Sequence, residues 1–161
     1  MNGQSVAVVV PAYNEETQIG MVLSSMPDYV DRIVVVNDRS TDGTAQVVER
    51  HIAADAGQTV ELKAFPDAVE PNLYNRAEQV IDAINRSEIE HYTPSEVANT
   101  RPERDRIILI NHLENAGVGA AIARGYKWCK DYGIDCTAVM AGDGQMDPNE
   151  LERICRPVVE G

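Results

Sequence analysis

Lysine is scarce in this chain: Lys63, Lys127 and Lys130 are its only three, and Asp and Glu outnumber Lys and Arg by 26 to 14. The net charge of -12 argues against a basic face for nucleic acid. It also gives an anionic ligand no help from the overall field, so a bound cation, helix N-termini and individual arginines must hold it locally. No apolar run approaches the ~20 residues of a membrane-spanning helix. The N-terminus also lacks the charged-then-apolar pattern of a secretory signal. Cys129, Cys136 and Cys155 are odd in number and show no C-x-x-C spacing, which argues against a zinc site or a disulfide framework. They read as reduced thiols of a cytosolic protein, buried as small hydrophobes. Two phosphate-binding signatures are missing as well. No G-x-G-x-x-G follows the first apolar run, and there is no G-x-x-x-x-G-K-[ST].

What is present is one pattern repeated four times. A run of branched apolar residues stops in a polar cluster: residues 6–10 before Pro11-Ala12-Tyr13-Asn14-Glu15-Glu16, and residues 33–36 before Asn37-Asp38-Arg39-Ser40-Thr41-Asp42-Gly43. Residues 107–110 precede Asn111-His112 and Asn115-Ala116-Gly117, and residues 137–140 precede Ala141-Gly142-Asp143-Gly144-Gln145. Such runs suit strands covered on both faces, as in a parallel sheet. Parallel strands deliver their C-terminal ends to one edge, where ligands bind, so the four clusters are expected to converge on one crevice.

With 161 residues, 43% hydrophobic and 25% charged, the chain is expected to be one α/β domain, a three-layer α-β-α arrangement on a mostly parallel sheet. Ile19, Val22, Leu23 and Met26 share a helical face. Asn14 is the expected cap of that helix, with Glu15 and Glu16 in its first turn and Pro27-Asp28 ending it. A second helix is predicted over 44–54, burying Val47, Val48 and Ile52 and stopped by Gly57, followed by a strand over 59–65. Residues 66–106 break the rhythm with Pro66, Pro71, Pro94 and Pro102. Within them Leu73, Ala77, Val80, Ile81 and Ile84 form one helical stripe, read as an inserted helix with mobile flanks that serves as a lid or an oligomer contact. The rhythm resumes with a strand over 106–110 and a helix over 117–132 whose Val118, Ala121, Ile122 and Cys129 face inward. A strand over 136–140 and a helix from Pro148 follow.

Each cluster carries a functional and a plain structural reading. The Tyr13 ring can flank a nucleobase and Glu15 can accept from base or ribose, while Pro11 and Asn14 also make an ordinary turn and helix cap. Asp38 stands at a strand tip, where a carboxylate accepts the imide N–H of uracil or the N1–H and amino group of guanine. Asp42-Gly43 is a turn that caps the next helix. Asn115 to Gly119 open a helix with small residues, which serves close approach of an anion and equally tight packing on the sheet. Arg124 reads as part of a solvated face, and His112 as a satisfied structural histidine. Asp143, flanked by glycines and joined by Gln145 and Asp147, offers oxygen ligands for Mg²⁺ or Mn²⁺ carrying a diphosphate; Asp-Gly alone is only a turn.

Four segments in order, VVVPAYNEE (8–16), VVNDRSTDGT (35–44), NAGVGAAIARG (115–125) and MAGDGQMDP (140–148), resemble the inverting family 2 glycosyltransferases of the GT-A fold, polyprenyl-phosphate sugar synthases in particular. The resemblance implies a Rossmann-like GT-A domain over 1–161, with residues 66–106 inserted. It implies a nucleoside-diphosphate sugar site at Pro11, Tyr13, Glu15, Asp38, Asn115, Gly119 and Asp143, and Mg²⁺ or Mn²⁺ held by Asp143 with Gln145 beside it. The UDP- or GDP-sugar would be transferred with inversion to a polyprenyl phosphate or a glycan, at the cytoplasmic face of a membrane or in the cytoplasm, with a homo-oligomer as one possibility. The chain departs from the family at Ala141, where the first aspartate of D-x-D is expected. It also stops just past that motif, so the expectation is the donor-binding half of a longer enzyme. No catalytic base is assignable. A nucleotidyltransferase and a non-catalytic nucleotide-sugar-binding module remain the alternatives.

Overall fold

The computed structural model describes residues 1–55, 62, 72 and 74–160. Among these residues five strands form one sheet: β1 Val6–Ala12, β2 Arg32–Asn37, β3 Ser95–Val97, β4 Ile107–His112 and β5 Cys136–Val139. Their spatial order is β3-β4-β2-β1-β5. β1 runs parallel to β2 and β5, and β2 parallel to β4; only the edge strand β3 is antiparallel, to β4. The α-helices among the described residues are α1 Ile19–Ser25, α2 Thr44–Ala54, α3 Arg76–Ser87, α4 Val118–Asp131 and α5 Leu151–Glu160. The mixed α/β architecture matches the fold class expected from the apolar runs.

Successive side chains of a strand point to opposite faces, so β1 feeds two cores at once. Val6, Val8 and Val10 join Ile19, Val22, Val47, Val48 and Cys155 on the side of α1, α2 and α5. Ala7 and Val9 join Ile108, Ile110, Ala121 and Trp128 on the side of α4. Burial on both faces explains why these strands read as unbroken apolar runs rather than alternating ones. The three cysteines are free and buried, and burial pushes the Cys129 thiol up to about 12.

α4 lies unusually close to β1. A Cβ added at Gly125 would stand 2.3 Å from Val9 Cγ1, so only glycine permits this seat. The buried stripe of α4 is Ala121, Arg124, Gly125 and Trp128, at i, i+3, i+4 and i+7. Arg124 is therefore buried, not solvated as predicted, and its Nε donates to Ser95 Oγ at 2.8 Å, pinning β3 to the helix. Lys127, also buried, donates to Asn85 O and Asp131 Oδ1.

Other expectations need correcting. Residues 66–106 hold a strand as well as a helix: β3 follows Pro94, and its three residues are too few and too polar to show an apolar run. Val118 is 64% exposed rather than inward-facing, because α4 begins there, above the end of the sheet. Asn14 does not cap α1, whose N-cap is Gln18; its Oδ1 instead accepts Thr41 N–H at 2.8 Å. The stripe of α3 lies on the surface, with Val80, Ile81 and Ile84 exposed, which agrees with reading it as an inserted helix rather than part of a core. The strand expected over 59–65 lies outside the described residues apart from Leu62, which is buried, as do Gly57, Pro66, Pro71 and Leu73. Among the described residues no helix is long and apolar enough to cross a membrane.

Candidate functional site

The parallel strands end together: Ala12 pairs with Asn37, and Asn37 with Asn111. Asn37 Nδ2 donates to Asn111 Oδ1 at 2.8 Å, tying the tips of β2 and β4. Above this edge lies a cleft of about 210 Å³. It is lined by Pro11, Ala12, Tyr13 and Glu15 from the end of β1, Asp38 after β2, Val118 and Ala121 of α4, and Ala141, Gly142 and Asp143 after β5. Segments far apart in sequence thus meet at one edge. The approach is tight at Gly142, where a Cβ would stand 3.1 Å from Pro11 O.

Asp38 is 3% exposed yet ionised. Burial alone pushes its carboxyl up, but hydrogen bonds from Ala116 N–H, His112 and Gly117 N–H outweigh that and hold it below the usual carboxylate range. Ala116 N donates to Oδ1 at 2.9 Å and Gly117 N to Oδ2 at 2.7 Å. These N–H groups are available because Gly117 takes φ +86°, a left-handed conformation that glycine adopts freely, immediately before α4. His112 Nδ1 lies 2.8 Å from Oδ1. Asn115 Nδ2 donates to Asp38 O, so Asn115 braces the cleft without lining it. Gly119 is exposed on the first turn of α4, also outside the lining.

Glu15 and Asp143 face each other differently. Partial burial, then the charges of Asp143 and Asp42, raise the Glu15 carboxyl above its ordinary value. Glu15 is fixed through its backbone, whose N–H donates to Thr44 Oγ1 at 2.8 Å. Asp143 Oδ1 accepts Gln145 N–H at 3.0 Å within its own turn. The Gln145 side chain borders a separate hollow with Met140, Met146, Leu151 and Ile154, away from the cleft. Tyr13 is 49% exposed, its ring open to a ligand. Asp42 does not cap α2, whose N-cap is Gly43; it stands one residue earlier, where its carboxylate accepts from Thr44 N–H, Thr44 Oγ1 and Glu16 N–H.

Among the described residues, no group of three or more His, Cys, Asp or Glu is placed to hold a metal. Glu15 and Asp143 supply two carboxylates without a nitrogen or sulfur ligand. That donor set fits a hard cation completing its shell with phosphate oxygens and water.

Sequence reading missed the Asp38–His112 bond and the burial of Arg124. The second was within reach, since Arg124 falls on the helical stripe of Ala121, Gly125 and Trp128.

The family model described as glycosyl transferase family 2 matches residues 7–66, which carry β1, α1, β2, α2 and the Tyr13, Glu15 and Asp38 positions. A UDP-N-acetylglucosamine--dolichyl-phosphate N-acetylglucosaminyltransferase of Methanococcus voltae is 23% identical over 99% of this chain and 49% of its own length. An uncharacterized protein of Methanocaldococcus jannaschii is 22% identical over 99% of this chain and 44% of its own. The chain therefore spans about half the length of the curated relatives it matches. A solved structure described as a mycobacterial protein is 18% identical over 82% of this chain and 76% of that one, with a TM-score of 0.25.

Proposed function

We propose that this chain, whose residues 7–66 match the family model of glycosyl transferase family 2, is the donor-binding part of a sugar-transferring enzyme. It takes a UDP- or GDP-sugar and passes the sugar, with inversion, to a polyprenyl phosphate or a glycan. The observation that carries this reading is the single cleft shared by Pro11, Tyr13, Glu15, Asp38 and Asp143 at the C-terminal edge of the sheet. The lipid-phosphate acceptor draws support from the name of the Methanococcus voltae relative.

In this reading Asp38 accepts from the base, the Tyr13 ring flanks it, and Pro11 shapes the floor. Ala121 and the first turn of α4 allow close approach of the donor, and the helix N-terminus favours its negative charge. Glu15 and Asp143 would hold Mg²⁺ or Mn²⁺. Such an ion, when bound, stabilises charge developing on the departing diphosphate. A lipid-phosphate acceptor is already anionic and needs no general base from this chain, whereas a hydroxyl acceptor would need one. Ala141, which stands where a second carboxylate is expected, favours one alternative: a module that binds the donor without transferring it.

Calorimetry with UDP- and GDP-sugars, with and without Mn²⁺, tests the donor site. Metal-dependent binding that is lost in Asp38→Ala and in Asp143→Ala supports it, and binding unchanged in both variants overturns it. Slow hydrolysis of a bound donor, measured by release of free sugar, separates an enzyme from the binding module.

A further inference from the structure

A carboxylate offers about four acceptor positions, two on each oxygen. At Asp38 three are occupied: His112 Nδ1 and Ala116 N–H fill Oδ1, and Gly117 N–H takes one position on Oδ2. An ionised carboxylate only accepts, so His112 must carry its proton on Nδ1. The carboxylate is also held in place, since Asp38 N–H donates to Ala12 O at 2.9 Å and Asn115 Nδ2 to Asp38 O at 2.9 Å. One acceptor position, on Oδ2, is left for a ligand in the cleft.

We infer that His112 is a specificity-determining residue: by filling Oδ1 it lets Asp38 read a base with one N–H donor, uracil or thymine, and not guanine. It acts through Asp38 and is therefore a positioning residue. The inference rests on the donor-site reading above. Uracil and thymine present a single ring N–H between two carbonyls. Guanine presents N1–H and an amino N–H side by side, an edge that needs both carboxylate oxygens. With Oδ1 full, guanine would bury an unpaired donor or expel His112, and an unpaired buried donor is the costly case. Adenine and cytosine turn a ring-nitrogen acceptor toward the same carboxylate and are repelled.

His112 is itself 3% exposed, and its Nε2 is buried with no hydrogen-bond partner among the described residues. The bond to Asp38 is therefore the ring's only hydrogen bond among those residues. Replacing the ring acts chiefly on that carboxylate.

Titration calorimetry of the full chain with UDP, dTDP and GDP, in Mn²⁺, tests this in the wild type, His112→Asn and His112→Leu. At least one pyrimidine nucleotide is expected to bind roughly tenfold or more tighter than GDP, and the tighter of UDP and dTDP names the nucleoside. His112→Asn, which keeps an N–H donor, should retain the preference. His112→Leu frees Oδ1 and should shrink it to within about threefold, chiefly by improving GDP. GDP binding as tightly as both pyrimidines in the wild type overturns the inference alone, even if His112→Leu does not fold. So does an unchanged ratio in His112→Leu with all affinities falling together, the mark of a merely structural histidine. Failure of all three nucleotides to bind overturns the donor-site reading and this inference with it.

Discussion

At one end of the cleft Asp38 is buried and meets three hydrogen-bond donors through its carboxylate. At the other, partial burial and the charges of Asp143 and Asp42 raise the Glu15 carboxyl, and among the described residues the carboxylates of Glu15 and Asp143 share a single hydrogen bond, from Gln145 N–H to Asp143. The first end is complete before any ligand arrives, and its geometry is enforced by the backbone that enters α4. The second is under-neutralised and gains when positive charge is added. A fixed acceptor suits recognition of a base, and two carboxylates on one cleft suit a cation that comes and goes with its phosphates.

The largest expected difference between the two ends lies in stability. Asp38→Ala leaves the Ala116 and Gly117 N–H groups and the His112 donor buried without their acceptor. Unfolding free energy in urea should fall by about 3 kcal/mol. Asp143→Ala, at the half-buried end and with one hydrogen bond within its own turn to lose, should stay within about 0.5 kcal/mol of the wild type. Equal losses would erase the distinction.

Next in size is the response to Mn²⁺. At ten times its dissociation constant the ion should stabilise the fold by roughly 1.4 kcal/mol, a gain read as a rise in Tm. The rise should vanish in Asp143→Asn and persist in Asp38→Asn. Loss in both variants would mean that the two ends are one unit.

Acid should act on the ends with opposite sign. Asp38 has a lowered folded pKa, so its stabilisation is present above the unfolded carboxylate value and is lost as pH falls through the folded one. Glu15 has a raised folded pKa, so the folded state holds the proton more tightly. Its charging weakens the fold as pH rises from the unfolded value through the folded one. Urea unfolding against pH should therefore show a shallower acid loss in Asp38→Asn, and a small stability gain near neutral pH in Glu15→Gln. The smallest effect is on Glu15 itself: Asp143→Asn should lower its titration midpoint, followed by carboxyl ¹³C NMR, because one of the charges raising it is gone.

The strands that carry the cleft were legible because burial on both faces writes itself as uninterrupted valine and isoleucine. Their shared direction then required the clusters at Tyr13, Asp38 and Asp143 to meet. β3 was not legible: Ser95, Glu96 and Val97 pair with β4 at an edge, where no apolar run is required. Arg124 misled because its charge was weighed above its place on a helical stripe, although its Nε has Ser95 to donate to. Asn115 and Gly119 were chosen for their small or polar character, which does not distinguish lining a cleft from bracing or flanking it. The Asp38–His112 bond depends on two strand tips side by side, a relation between residues 74 apart.

The seat of α4 gives the molecule a lever. Gly125 rests against Val9, while Val118, seven residues earlier and roughly 10 Å away along the axis, forms part of the opening. The height of the helix over β1 is set at the first point and felt at the second. A methyl group added at position 125 would lift that fulcrum and swing the mouth of the pocket, altering access for a ligand it never touches. The aperture is thus gauged from the far side of the molecule, by a single hydrogen atom standing where any other residue would carry carbon.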